Sequence, residues 1–261
     1  MPKFHSFPNY EPYMKRVSEM SDEQMLKVIE DSIIGDGSIS KCATSVNYRY
    51  MLTRTEARRD NLFTMAAIAE FVTPGVNIQY RAAQNRLSPT GVPIRSKPTW
   101  SFETPTNKIY TYMRELFYDN GRKVVPDTYL DTFDIQSAAS LYIDDGSYHK
   151  TSKNVRVYVN GFYLEDVQKL QAAYTKATNL PWSIHAVTKE DGWTGYRKID
   201  GGRMYTLFLS RSHTPDFFAM IEEHVSESYA YKIGKEYVDK HLYEKVALDE
   251  FIRSEKESKL P

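Results

Sequence analysis

The sequence contains a single cysteine, Cys42, among 261 residues. One cysteine excludes an internal disulfide and a zinc site built from cysteines, and it is typical of proteins from reducing compartments. No stretch approaches the roughly 18 consecutive apolar residues that a membrane-spanning helix needs. Residues 1–8 also lack an apolar signal core and an arginine-rich leader. We therefore expect an intracellular protein, cytoplasmic or organellar, that does not enter a membrane.

The chain also lacks a net charge, because 34 Lys and Arg residues balance 34 Asp and Glu residues. The balance is not local. Residues 37–100 carry a net charge of +6 and residues 147–212 carry +5, while the other segments are acidic. Attraction to phosphates acts through the local potential, which salt screens over about 10 Å at 0.1 M. Two basic regions can therefore bind a nucleic acid even on a neutral protein.

A motif that ends in Asp-Gly occurs twice, once in each half of the chain. Residues 28–40 read VIEDSIIGDGSIS and residues 138–147 read AASLYIDDGS, so that Asp36 corresponds to Asp145. Such internal repetition at the distance of one domain indicates a folding unit used twice. Each copy has the pattern of a helix that ends in a glycine turn, which places one carboxylate at the foot of each helix.

The flanking segments predict the same order of elements in both halves, since helical spacing of apolar residues indicates helices and alternation indicates strands. In the first half we expect helices at 22–35, 56–72 and 106–119, strands at 38–40, 47–54, 76–83 and 99–103, and a polar loop at 84–98. In the second half we expect helices at 134–144, 164–177 and 215–225, strands at 147–150, 154–160, 182–187 and 203–210, and a glycine-rich loop at 191–202. The pattern predicts an α+β fold of two tandem, pseudo-symmetric αββαββα units.

The domain boundaries follow from this order, and 261 residues suit two domains of about 130. We predict an N-terminal extension, a first domain, a linker, a second domain and a charged, helical C-terminal tail, at residues 1–20, 21–120, 121–133, 134–233 and 234–261 respectively.

The strand faces that point away from the predicted core are rich in Arg, Gln, Asn, Tyr, Ser and Thr. In residues 76–83, for example, apolar side chains alternate with Asn77, Gln79 and Arg81. Arg, Gln and Asn are the side chains that bond base edges in a major groove, so we expect these faces to contact double-stranded DNA. The candidate DNA-binding residues are Ser38, Ser40, Arg49, Asn77, Gln79, Arg81, Arg86, Arg95, Lys97, Lys150, Lys153, Arg156, Tyr158, His185, Lys198 and Arg203.

The paired motifs, residues 29–37 and 138–146, resemble those of the single-chain LAGLIDADG homing endonucleases. The resemblance covers most of residues 20–233. It extends to two lysines that accompany the motifs in the subgroup similar to the yeast mitochondrial intron enzyme. Lys123 precedes a proline before the second motif, and Lys232 follows Tyr231 after the last helix. The interval between these lysines equals the interval between Asp36 and Asp145.

The resemblance implies a monomer whose two antiparallel sheets form a DNA-binding saddle, with the motif helices packed side by side at the interface. It implies that Asp36 and Asp145, with the backbone of Gly35 and Asp144, hold two or three Mg²⁺ ions, for which Mn²⁺ or Ca²⁺ can substitute in binding. The ions would activate water and stabilise the leaving oxygen on each strand. Lys123 and Lys232 would stabilise charge at the scissile phosphates. The implied product is a double-strand break with short 3′ overhangs in a long target, as in intron homing.

Two acidic residues of the first motif, Glu30 and Asp31, depart from the family pattern, which has small or apolar residues there. Because buried, unpaired carboxylates are costly, we expect both to lie toward the rim of the helix interface or to be paired. These two residues mark the first copy of the motif as the altered one. Faster nicking of one DNA strand is therefore an alternative to equal cleavage of both strands.

Other readings of the motifs stay open at this point. The aspartates can simply shape turns, and a LAGLIDADG protein can bind nucleic acid without cutting it, as an intron maturase or a regulator. A calcium-dependent structural protein is disfavoured, because the sequence lacks the dense acidic loop of Ca²⁺ sites.

Overall fold

The computed structural model describes residues 10–87, 93–187 and 204–235. Its helices are α1 Glu11–Val17, α2 Asp22–Ile34, α3 Arg59–Val72, α4 Lys108–Phe117, α5 Asp127–Asp131, α6 Ile135–Asp145, α7 Leu164–Thr178 and α8 Thr214–Ile221. Its strands are β1 Ser38–Lys41, β2 Tyr48–Thr55, β3 Asn77–Arg81, β4 Gln84–Leu87, β5 Pro93–Ser96, β6 Thr99–Glu103, β7 Tyr118–Asp119, β8 Arg122–Lys123, β9 Gly146–His149, β10 Asn154–Tyr158, β11 Ser183–Val187 and β12 Met204–Leu209.

The motif helices begin where their capping residues allow. At the start of α2, the backbone N–H of Gln24 donates to Ser21 Oγ and the N–H of Ser21 donates to Gln24 Oε1, which completes a capping box. At the start of α6, the Asp134 carboxylate accepts a hydrogen bond from the backbone N–H of Ser137 at 2.9 Å. Both helices stop at the predicted Asp-Gly turns, so the repeat marks one structural unit in each half of the chain.

Two four-stranded antiparallel sheets confirm the predicted α+β fold. The first has the strand order β1-β2-β6-β3 and the second has the order β11-β12-β10-β9. Alternation puts one face of each sheet against helices, with α3 and α4 on the first and α6 and α7 on the second. The residues buried on these faces include Tyr50, Leu52, Trp100, Phe102, Val155, Val157, Leu207 and Leu209.

The structure differs from the sequence prediction in three segments. The predicted loop 84–98 contains a ribbon in which β4 pairs with β5. The predicted N-terminal extension, residues 1–20, contains α1, which packs on α3 and buries Val17. The predicted linker, residues 121–133, contains β8 and α5. Asn120 and Gly121, with positive φ values of 47° and 82°, join β7 to β8 in a tight hairpin.

Some predictions lie outside the described residues, namely the loop at 191–202, the first nine residues and the tail beyond residue 235. Within the described ranges, no helix combines the length and the apolar character that crossing a membrane requires.

Helices α2 and α6 pack against each other, and a buried polar network lies between them. Asp31 is only 1% exposed, and its Oδ1 accepts a hydrogen bond from the Tyr129 hydroxyl at 3.0 Å. Lys27 Nζ lies 3.9 Å from the same oxygen and donates to Ser137 Oγ on α6 at 2.7 Å. We expected Glu30 and Asp31 to lie at the rim of the helix interface or to be paired. Asp31 is buried and has partners, while Glu30 is partly buried.

Burial raises the pKa of Asp31 to about 6, although the charge of Lys27 and the hydrogen-bonding groups of Ser137 and Tyr129 oppose the shift. The folded protein thus holds a proton on Asp31 up to a higher pH than the unfolded chain. The stability contributed by this proton is full below about pH 4 and is lost as the pH rises through about 6.

Replacement of Asp31 by Asn should therefore raise the free energy of unfolding at pH 7 by up to about 3 kcal/mol, because the neutral amide avoids a buried charge and can still accept from Tyr129. Urea unfolding at several pH values measures this. The gain over the wild type should vanish below about pH 4. The exposed Asp131, changed to Asn, is the matched control and should show no gain. A gain of constant size from pH 4 to pH 8 would contradict the assignment.

Candidate functional site

The two Asp-Gly turns meet at the feet of the motif helices. The backbone N–H of Asp36 donates to Asp144 Oδ2 at 3.0 Å, which joins the first turn to the end of α6. Gly35 permits this approach, because a Cβ at that position would overlap the Asp144 carboxylate. The structure thus brings the turn that carries Asp36 against the end of α6 that carries Asp144 and Asp145.

An arginine that sequence reasoning did not single out bridges the two turns. Arg54 Nη1 donates to Asp36 Oδ2 at 2.6 Å, and Nη2 donates to Asp144 Oδ1 at 2.5 Å. The side chain of Arg54 is 4% exposed, as is that of Asp144, whereas that of Asp36 is 51% exposed. The signal was present in the alternation of β2, which puts Arg54 on the buried face beside Tyr50 and Leu52. A charge on that face needs a buried partner.

The cluster of carboxylates changes the ionisation of Asp145. Burial, followed by the negative charges of Asp36 and Asp144, raises the pKa of Asp145 to about 7, against the opposing charges of Lys123 and Lys232. Burial also raises the pKa of Asp144, which Arg54 and the N–H of Asp36 oppose. The site therefore concentrates negative charge that a cation would relieve.

The predicted lysines hold the two turns in equivalent ways. Lys123 Nζ donates to the carbonyl oxygens of Gly35 and Gly37, the latter at 2.8 Å. Lys232 Nζ donates to the equivalent carbonyl oxygens of Asp144 and Gly146, at 3.3 and 2.9 Å. It also reaches the carbonyl oxygens of Ile143 and Tyr142, at 2.5 and 3.4 Å, in the last turn of α6. Each pair of equivalent acceptors flanks one motif aspartate. The interval of the repeat separates the two lysines, and it also separates each acceptor of the first turn from its equivalent in the second. The ammonium groups thus bind the carbonyls left free at the ends of α2 and α6.

Different elements deliver the two lysines. The β7–β8 hairpin carries Lys123, while Lys232 lies in the short 3₁₀ helix Glu227–Ile233. The Tyr142 hydroxyl of α6 donates to the backbone oxygen of Lys232 at 2.6 Å. Burial lowers the pKa of Lys123, and it lowers that of Lys232 to about 8.

The carboxylate oxygens of the site are of the type that a hard cation prefers. Mg²⁺ commonly binds one or two carboxylates and takes its other oxygens from water and phosphate, and Asp36 and Asp145 provide two carboxylates. The carbonyls of Gly35 and Asp144, also predicted as ligands, each accept a hydrogen bond from a lysine, which leaves their role as metal ligands a prediction. In the described part of the chain, no group of three or more His, Cys, Asp and Glu side chains forms a metal site by itself.

The outer face of the first sheet presents rows of polar side chains. Thr53, Ser101 and Gln79 form one row across the strands, and Thr55, Thr99 and Arg81 form the next. Of the predicted DNA-binding residues, Ser38, Arg81 and Lys97 are exposed, and Ser40, Arg49, Asn77 and Gln79 are partly buried.

One of these residues has an acidic partner that the prediction did not include. Arg49 Nη1 pairs with Glu103 Oε2 at 2.7 Å, so contact with a phosphate would compete with this ion pair.

The second sheet is polar but contains an aromatic pair. His185 stacks on Phe208 with ring centroids 4.3 Å apart, which occupies one face of the imidazole. Arg156 and Tyr158 are partly buried on β10, and Lys150 and Lys153 are exposed in the turn before it. Buried polar atoms without a hydrogen-bond partner lie on the same strands, namely Arg156 Nε, His149 Nε2 and Asn154 Oδ1.

Four predicted contacts cannot be placed at the level of side chains. Arg86 and Arg95 lie on the strands of the β4–β5 ribbon, but their side chains are outside the described set. Lys198 and Arg203 fall wholly outside the described residues.

Comparisons with known proteins agree with this geometry. The family model for the LAGLIDADG DNA endonuclease family matches residues 26–207. The cytochrome b mRNA maturase bI2 of Debaryomyces hansenii is 25% identical over 215 residues, which are 82% of this chain and 74% of that protein. The structure of the homing endonuclease I-WcaI bound to its DNA recognition sequence matches with a TM-score of 0.62 at 16% identity, over 87% of this chain and 94% of that chain. At such identity the structural match shows the fold alone.

Replacement of Gly35 by Ala should destabilise the protein by about 1–3 kcal/mol, because the new methyl group displaces the Asp144 carboxylate from a tightly packed contact. Urea unfolding measures the loss. Gly161 is the matched control, since a Cβ there would meet nothing within 4 Å, and G161A should leave stability nearly unchanged. Equal effects of the two substitutions would show that Gly35 is not needed for the approach of the turns.

Proposed function

The chain belongs to the LAGLIDADG DNA endonuclease family, and on that premise we propose that it is a site-specific homing endonuclease. It makes Mg²⁺-dependent double-strand breaks with short 3′ overhangs in a long DNA target, and it acts as a monomer. The observation that carries the proposal is the meeting of the Asp36 and Asp145 turns at the feet of α2 and α6, joined by the hydrogen bond from the Asp36 N–H to Asp144.

The carboxylates of Asp36 and Asp145 are the groups that would hold the divalent ions. When bound, such ions activate water and stabilise the leaving 3′-oxygen. The chain's own contribution is to fix these carboxylates. Lys123 and Lys232 bind the backbone oxygens on either side of each aspartate, so the turns stay ordered while their acidic side chains face the same site. In this proposal, the positive charges of Lys123 and Lys232 also stabilise charge at the scissile phosphates.

The outer faces of the two sheets bind the DNA in this proposal. In it, Arg81, Gln79 and Asn77 on β3 read base edges, because Arg, Gln and Asn are the side chains that bond them in a major groove. Exposed lysines at the strand ends, Lys97 and Lys150, contact phosphates. Affinity should therefore fall as salt rises, because phosphate contacts release counterions.

A second candidate function is an intron maturase that binds RNA without cutting DNA. It is favoured by one observation, the 25% identity to a protein named as an mRNA maturase. The retention of both aspartates and both lysines favours cleavage, because an RNA-binding role does not require carboxylates that repel phosphates.

Cleavage of a plasmid library that carries candidate target sites, with Mg²⁺, separates the two functions. The endonuclease cuts a defined site and leaves 3′ overhangs that end sequencing reveals. Tight, specific binding of DNA or intron RNA without any cleavage, in Mg²⁺ or Mn²⁺, would contradict the nuclease assignment.

Replacement of Asp36 or Asp145 by Asn should lower the cleavage rate by a factor of at least about 100, because each amide removes a charged ligand. DNA binding should remain close to that of the wild type. Single-turnover cleavage and a binding titration in Ca²⁺ measure the two effects. Full activity in either variant would remove that aspartate from the site.

Replacement of Arg81 by Ala should weaken binding to the selected target by about 1–3 kcal/mol if the side chain reads a base. The exposed Arg16 on α1, which packs on the helical side of the first half, provides the matched control R16A. Dissociation constants at several salt concentrations distinguish the variants. An unchanged constant for R81A at every salt concentration would place Arg81 outside the interface.

A further inference from the structure

The proposed function leaves the buried guanidinium of Arg54 without a role. Its Nε donates to Asn61 Oδ1 at 3.0 Å, while its two terminal nitrogens donate to Asp36 and Asp144. These three partners fix the planar group in one orientation. A side chain held this firmly against one motif aspartate affects how that aspartate can bind a cation.

Among the described residues of the second half, the position equivalent to Arg54 holds an apolar residue. Strand register defines the equivalence, since Ser38 pairs with Met51 in the first sheet and Ser147 pairs with Arg156 in the second. Three residues further along the chain stand Arg54, on β2, and Val159, directly after β10, so an apolar residue replaces the cation.

The partner of Arg54 is also unique to one half. Asp144 corresponds to Gly35, because each directly precedes the aspartate of its motif. The bridge therefore joins Asp36 to α6, and nothing in the described residues forms the reciprocal bridge from Asp145 to α2. Asp145 makes no ion pair in the part of the chain that the structure describes.

The consequence is electrostatic. One oxygen of Asp36 is already bound to an almost fully buried guanidinium, whose positive charge opposes the binding of a second cation at the same carboxylate. The lysines near Asp145 direct their ammonium groups to backbone carbonyls rather than to its carboxylate. The two aspartates thus meet different cationic surroundings although the backbone around them repeats.

We propose that Arg54 is a positioning residue that acts on Asp36 alone and makes the two strand-cleaving centres unequal, with the Asp36 side the slower one. This inference rests on the proposed endonuclease function. Asp144 moderates the effect, because it shares the charge of Arg54.

The test measures the cleavage rate of each strand separately. The substrate is the target selected from the plasmid library, as a duplex with a different fluorophore on each strand, and denaturing electrophoresis follows both products in Mg²⁺. In the wild type, the two rates should differ by about two- to fivefold, the range expected for one ion pair.

Two variants should move this ratio in opposite directions. R54Q frees Asp36 and should bring the ratio toward one, whereas D144N leaves Arg54 to Asp36 alone and should move the ratio further from one. A purely structural role would lower both rates together and leave their ratio unchanged. Arg59, whose guanidinium pairs with Glu56 at 3.2 Å, gives the matched control R59Q, which should keep the wild-type ratio.

A ratio of one in the wild type, or a ratio that R54Q does not change, would overturn the proposal. So would a shift in the same direction in R54Q and D144N. If R54Q does not fold, the paired variant R54Q/D144N removes both buried charges, and its ratio should also approach one.

Failure of the endonuclease function itself is a separate outcome. If the wild type cuts neither strand, the binding of Mn²⁺ alone decides the role of Arg54, with free Mn²⁺ measured by electron paramagnetic resonance. R54Q should bind Mn²⁺ about two- to fivefold more tightly than the wild type. Equal binding, including no binding by either protein, would overturn the proposal.

Discussion

The site depends on the bridge that Arg54 makes between two carboxylates of different motif copies. Asp36 and Asp144 come from turns in opposite halves of the chain, and each would repel the other without a cation between them. The guanidinium offsets this repulsion and satisfies both groups inside the protein, where an unpaired charge is most costly. This charge balance stabilises the close packing of the turns, at which a Cβ on residue 35 would overlap the Asp144 carboxylate.

The two lysines show how far the internal symmetry extends. Lys123 and Lys232 arrive from a hairpin and from a 3₁₀ helix, yet they bind backbone oxygens at equivalent positions of the two turns. Backbone geometry is therefore repeated, while the side chains around it are not. Arg54, Asp31 and Asp144 all belong to contacts without a counterpart among the described residues of the other half. Such differences are accessible to a single-chain protein, because its two copies can change independently.

The structure also limits how the polar sheet faces can be interpreted. Alternation alone identified which residues point outward, but it did not reveal that Arg49 pairs with Glu103 or that His185 stacks on Phe208. These contacts cross between strands, and their partners depend on register. The exposed Arg81, Lys97 and Lys150 are freer to reach a phosphate or a base. A family match and a fold match at 16% identity show a LAGLIDADG protein, and the choice between cutting DNA and binding RNA rests on the site.

By itself, the sequence determined the features that follow from local chemistry and repetition. The capping residues and the Asp-Gly turns set the limits of α2 and α6, and alternation indicated the strands of the two four-stranded sheets, because each of these signals acts over a few neighbouring residues. The interval of the repeat paired Asp36 with Asp145 and Lys123 with Lys232 for a related reason, since duplication preserves spacing. Only the tertiary structure decided which groups meet across the repeat. That Arg54 reaches Asp144, and that the lysines bind carbonyls, depends on the packing of α2 against α6 and on strand register, which no local pattern records.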